Sequence, residues 1–103
     1  MFKAMIMLTR RSDMTHEEFA TWWTYEHAPL ARTLPEVRRI VFNVIEPSED
    51  SPFDGVAELW FDSSEDFQAA YATEVGKAIA ADSIAHLASR VRMFAKEYPI
   101  LSD

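Results

Sequence analysis

The residues best able to do chemistry lie in the run Tyr25-Glu26-His27-Ala28-Pro29-Leu30, which follows Trp22 and Trp23 and leads through Arg32 to Leu34-Pro35. An imidazole titrates at about pH 6.5, so a histidine can take and return protons under neutral conditions. His27 stands two residues before Pro29. A proline inside a helix lacks an amide donor and crowds the carbonyl four residues back, here that of Tyr25. A chain tolerates this most readily where irregular backbone borders a pocket. A task suited to His27 is removing a proton α to a carbonyl in a small, aromatic or lactone-like acid. The plain alternative is a packed histidine donating to a carbonyl freed by Pro29, such as that of Trp23 or Tyr25.

Other polar residues admit similar pairs of readings. Projected at about 100° per residue, Phe19, Trp22, Trp23, Leu30 and Leu34 form one stripe, with Glu26 near its centre and His27 at its edge. Glu26 is then a half-buried carboxylate, or else it is solvated or paired with Arg38 or Arg39. Glu58 lies between Val56 and Trp60 on a strand face and is either a pocket acid or half of a dimer-interface ion pair. Asn43 and Arg92 could reach the same region; Arg92 suits a substrate carboxylate by bidentate pairing, or is simply an exposed edge arginine. Trp23, Phe42 and Trp60 could wall an aromatic ligand, or serve only as core. Asp82 and His86 have the i, i+4 spacing of a metal-ligand pair, although two ligands close no site and a helix-surface hydrogen bond has the same spacing. His16 opens the first helix and is expected in solvent.

The elements that must position these groups follow from periodicity. Residues 2–9 alternate as a strand with Phe2, Ala4, Ile6 and Leu8 on one face and Met5 and Met7 on the other, which implies cover on both sides. Thr15 and Glu18 form a capping box for a helix that runs toward Pro35 and is expected to break at Pro29. Residues 37–45 read as a second strand, with Ile40, Phe42 and Val44 alternating against Val41, Asn43 and Ile45. Residues 46–54 form an acidic, proline-bearing loop, and residues 55–61 a third strand. Asp62-Ser63-Ser64 caps a helix to about Ala72. Residues 73–87 are helical with an interruption near Gly76 and a new turn at Asp82, and residues 90–96 form a fourth strand. The order is βαββαβ, the α+β ferredoxin-like arrangement of four antiparallel strands with helices on one face. A sheet face of Met, Trp and Phe would remain uncovered, and a symmetric homodimer with sheets face to face is the simplest cover.

Composition narrows the function. At 103 residues the chain suits a single domain, and 49% hydrophobic content supplies a core. No apolar run of about 18 residues exists to span a membrane, and residues 1–11 make a poor signal peptide. With no cysteine there is neither a disulfide nor a thiolate metal site, in keeping with a cytoplasmic protein. A net charge of −7, from 17 acidic and 10 basic residues, argues against nucleic acid or an anionic membrane as partner. Only Gly55 and Gly76 are glycines, too few for a glycine-rich phosphate loop.

Residues 3–11 (KAMIMLTRR), Thr15-His16-Glu17-Glu18-Phe19 with Trp23, His27-Ala28-Pro29-Leu30 with Leu34-Pro35, and Ala57-Glu58-Leu59-Trp60-Phe61 together resemble the EthD-type family of dimeric α+β barrel proteins. The likeness covers nearly the whole chain, and the His-x-Pro-Leu segment is its most specific part. It implies a ferredoxin-like fold, a homodimer and a pocket between helices and sheet in each subunit. The wider barrel group includes lactone isomerases, polyketide cyclases, haem-binding aldoxime dehydratases and cofactor-free monooxygenases. Within it the histidine matching His27 is the pocket residue. The expectation is a small-molecule ligand (a hydrophobic or aromatic acid, ketone or lactone) handled without metal or cofactor, with His27 as proton carrier. The alternatives are an oxidoreductase, as a cofactor-free oxygenase or its accessory, and a non-catalytic binding protein.

Overall fold

Strand alternation sets the layers. In the computed structural model, which describes residues 1–102, β1 (Phe2–Arg10) sends Ala4, Ile6 and Leu8 into the core. It pairs with β3 (Gly55–Phe61) on one side and β4 (Leu87–Lys96) on the other, while β2 (Arg39–Val44) pairs with β3. All pairings are antiparallel and the order is β2-β3-β1-β4, the ferredoxin-like arrangement. Ala57, Leu59 and Phe61 share the core face of β1, so Val56, Glu58 and Trp60 take the face away from the helices. β4 begins at Leu87, earlier than the alternation suggests.

Thr15 caps α1 (His16–Thr21) by the reciprocal box: its hydroxyl accepts from the Glu18 amide, and the Glu18 carboxylate accepts from the Thr15 amide. The helix does not break at Pro29. It widens into a π-helical stretch, Trp22–His27, where the Ala28 amide reaches the Trp23 carbonyl five residues back, and returns to α geometry in α2 (Ala28–Ala31). Pro29 sits in the first turn of α2, where its fixed φ is tolerated. Ser63 then caps α3 (Ser64–Ala72), and Thr73 caps α4 (Glu74–His86) through the Gly76 amide. The interruption expected near Gly76 is therefore absent, and Asp82 lies within one continuous helix. Gly76 is there because α3 and α4 approach so closely that a Cβ would collide with the backbone of Ala70 and Tyr71.

The core joins Phe19, Trp22, Trp23 and Leu34 to the inner sheet face and to Phe67 and Ile79. Gly55 lets the Trp23 ring lie against β3, since a Cβ at Gly55 would stand 2.7 Å from the indole. On the outer face Val91 and Met93 are about half exposed, at 45% and 51%. The 46–54 segment is a loop tied down at Asp54, whose carboxylate accepts from the Arg10 amide and meets His16 Nδ1 at 2.9 Å. His16 is thus a loop anchor rather than a solvated residue. No helix among the described residues is long and apolar enough to cross a membrane.

Candidate active site around His27

The π stretch decides which residue the first helix presents to the core. A wider turn adds a residue and retards the rotation that a regular helix would give. His27 consequently faces inward at 4% exposure, whereas Glu26 and Tyr25 point to solvent. Arg38 pairs with Asp62 instead of Glu26. The imidazole lies between the rings of Trp22 and Phe42, at centroid distances of 5.1 and 6.2 Å.

Both ring nitrogens have partners on α4. Nδ1 is 2.7 Å from Asp82 Oδ2, and Nε2 is 3.3 Å from Ser83 Oγ. A carboxylate, not a backbone carbonyl, is therefore the main partner of His27. As an acceptor, Asp82 favours the Nδ1–H form of the neutral ring and leaves the Nε2 lone pair toward Ser83. The same carboxylate would stabilise the imidazolium formed when Nε2 takes a proton. Asp82 also lies 3.4 Å from His86 Nδ1, and His86 stacks on Trp22 at 4.5 Å, so this i, i+4 pair belongs to a helix-surface cluster. Among the described residues no group of three or more His, Asp or Glu side chains is arranged to hold a metal ion.

A cavity of about 30 Å³, room for a water or two, is lined by His27 and by Ser83, the partner of Nε2. Trp23 and Phe42, stacked at 4.2 Å and 3°, form one wall, and Ser83, Tyr71 and Arg90 bring polar groups to the lining. The cavity shares Ile6, Tyr71 and Arg90 with an outer cleft of about 290 Å³, which adds Lys77 and Arg92. Burial pushes the Tyr71 phenol up from its ordinary 10.0 against the pull of Arg90 and Arg92, so Tyr71 is a neutral hydroxyl donor.

The structure groups Trp23 and Phe42 with His27 and separates the other candidates from it. Asn43, Glu58 and Trp60 occupy the outer sheet face, one strand position out of phase with Phe42, Ala57 and Leu59. There Glu58 pairs with Lys3 at 3.2 Å and accepts from Asn43 Nδ2. The Trp60 indole donates to Glu97, with Lys3 and Arg39 over its ring. Arg92 is on the helix side but at the outer cleft, its guanidinium over Phe67 and Phe94. Ser83, Tyr71, Arg90 and the role of Asp82 toward His27 escaped the sequence reading. Arg90 was within reach, because it shares strand parity with Arg92; the others are tertiary juxtapositions without a local signature.

A ferredoxin-like sheet with a buried, carboxylate-held histidine between its helices and one face defines a small α+β pocket protein. The EthD domain model matches residues 11–90, and the chain belongs to that family. It is similar to an ethyl tert-butyl ether d (EthD) family protein of Bacillus halodurans, at 27% identity over 95% of this chain and 100% of the other, with a TM-score of 0.81. A hydroxynitrile lyase from Passiflora edulis shares the fold at 12% identity, over 98% of this chain and 96% of the other, with a TM-score of 0.75. So does a dimeric ferredoxin-like protein of Thermobifida fusca, at 17% identity over 91% and 88% of the two chains, with a TM-score of 0.73. No curated protein matches the sequence.

Proposed function

We propose that this EthD-family protein acts on a small hydrophobic or aromatic acid, ketone or lactone by acid/base chemistry, as an isomerase, cyclase or lyase, with His27 as the proton carrier. The observation that carries this reading is a buried imidazole that lines a cavity, with Nδ1 on Asp82 and Nε2 on Ser83, which lines the same cavity. Nε2 takes the proton from a carbon α to the substrate carbonyl; the C–H electron pair moves into the enolate, and Asp82 holds the imidazolium charge. Tyr71 and Arg90, which line the same cavity, are donors for the enolate oxygen. Return of the proton at a second carbon completes an isomerisation, whereas attack of the enolate carbon on an internal carbonyl closes a ring. Trp23 and Phe42 supply the apolar walls. Substrate enters by displacing side chains between the cavity and the outer cleft.

Ser83 completes the composition of a Ser-His-Asp triad, but it lies inside α4, where the backbone amides are committed to the helix. No pair of amides beside it is free to hold an oxyanion. Ser83 is better suited to aligning Nε2 or a substrate oxygen.

Asn43, Glu58 and Trp60 then belong to a second role, the contact between two copies of the chain through their outer sheet faces. The exposed Val91 and Met93 and the dimeric Thermobifida protein support this reading. Sedimentation should give a dimer at micromolar concentration; a monomer would remove it.

The chemistry is tested by solvent-deuterium exchange at the α-carbons of phenylacetone, α-tetralone, phenylpyruvate and an unsaturated γ-lactone, followed by NMR. Exchange catalysed by the wild type and lost by about 10³-fold in His27→Gln is the expected result. Equal exchange by both proteins contradicts the role of His27. Binding without exchange favours the carrier reading, and oxygen uptake with quinols that survives His27→Gln favours the oxygenase.

A further inference from the structure

The outer cleft lies between α4 and the edge strand β4, and three cations line it: Lys77, Arg90 and Arg92. No acidic side chain lines it, and the remainder is apolar apart from Tyr71. The placement is unexpected in a chain of net charge −7. Of the seven other bases four meet acids, Lys3 with Glu58 and Glu97, Arg10 with Asp54, Arg11 with Asp13 and Arg38 with Asp62, while Arg32, Arg39 and Lys96 lie outside the cleft. Lys77, Arg90 and Arg92 make no ion pair among the described residues. Neighbouring like charges repel, so an anion bound among them is favoured by more than its own contacts.

The guanidinium geometry specifies the kind of anion. Arg92 lies over Phe67 and Phe94, its Cζ 5.2 and 5.4 Å from the ring centroids, and its guanidinium fork, which meets no acid, matches a planar bidentate acceptor. With two glycines in the chain and neither in this lining, there is no backbone cradle of the sort that favours phosphate. Arg90 and Tyr71 belong to the cleft and to the His27 cavity alike.

We infer that the outer cleft is a carboxylate subsite, and that the substrate is an aromatic or keto acid whose carboxylate sits among Arg90, Arg92 and Lys77 while its apolar, reacting end reaches past Ile6 toward His27. This rests on the role proposed for His27 and narrows its substrates from acids, ketones and lactones to acids. The carboxylate group stays unreacted and fixes the register of the carbon that loses its proton.

The test is a titration with benzoate, with neutral benzamide and with inorganic phosphate, observing backbone amides and arginine Nε–H groups by NMR. Benzoate should move the Arg90 and Arg92 signals, benzamide should leave them in place, and phosphate should bind more weakly than benzoate. Arg92 is exposed, so Arg92→Gln keeps the fold and should weaken benzoate about tenfold. His27→Gln should retain benzoate binding, which separates failure of the subsite from failure of the proton carrier. Equal binding of benzoate and benzamide, a phosphate affinity matching that of benzoate, no response to benzoate, or an unchanged affinity in Arg92→Gln would each overturn the inference.

Discussion

The two faces of the sheet hold nearly the same kinds of side chain and put them to different use. On the outer face Trp60, Glu58, Lys3 and Arg39 lock together: the indole donates to Glu97, the carboxylates meet Lys3, and Arg39 covers the ring. Permanent charges balance there, Lys3 and Arg39 against Glu58 and Glu97. On the helix side Trp23, Asp82 and His27 make a comparable cluster, but the partner of the carboxylate is an imidazole that lines a cavity. The chemistry proposed for His27 rests on that difference. An acid satisfied by a lysine is scaffolding, whereas an acid satisfied by a histidine beside a void can support proton transfer.

The contrast can be broken by substitution. Trp23, 1% exposed and stacked on Phe42, should cost about 3–5 kcal/mol of stability in urea denaturation when replaced by alanine. Trp60, 7% exposed beneath Lys3 and Arg39, should also cost stability when replaced by alanine. Trp60→Ala should nevertheless leave deuterium exchange in place, and loss of exchange there would erase the distinction. Asp82→Asn should slow deuterium exchange about a hundredfold, because an amide still accepts from Nδ1–H but cannot balance the imidazolium. An unchanged rate would leave Asp82 as a structural contact only.

Asp54 sharpens the comparison as an acid with a purely structural task. Burial pushes its carboxyl up, but the hydrogen bonds from the Arg10 amide and His16, with their charges, outweigh this and hold it below its ordinary 3.8. A depressed value means stability present above that pH and lost as pH falls through the folded-state value. Asp54→Asn should therefore destabilise by about 1 kcal/mol at neutral pH, with the gap to wild type closing below 3.8 in pH-dependent denaturation. Glu58→Gln should do least, within about 1 kcal/mol, since Lys3 keeps Glu97. It should also leave deuterium exchange unchanged.

The sequence carried the strands well because their residues alternate, and the capping box because its two members lie three apart. Alternation also put Glu58 with Val56 and Trp60, and Phe42 opposite Asn43. It could not say which face met the helices, because β1 is apolar on both. The first helix misled at one point: a fixed period of 3.6 residues puts Glu26 in the stripe, and only the π stretch brings His27 there. Gly76 resembled a break although Thr73, three residues before it, is a capping residue that explains the glycine as part of a first turn. The Asp82–His27 contact joins residues 55 apart on different helices, and no local pattern announces it.

The most direct measurement is a long-range proton–nitrogen correlation of the histidine rings at neutral pH, with His27 assigned by its substitution. A base held by Asp82 requires the Nδ1–H tautomer with a bare Nε2, and a shift toward mixed tautomers in Asp82→Asn. A His27 ring protonated at Nε2 instead, or averaging freely between both forms in the wild type, would mean that Asp82 does not hold the base, and the proton-carrier assignment would fall.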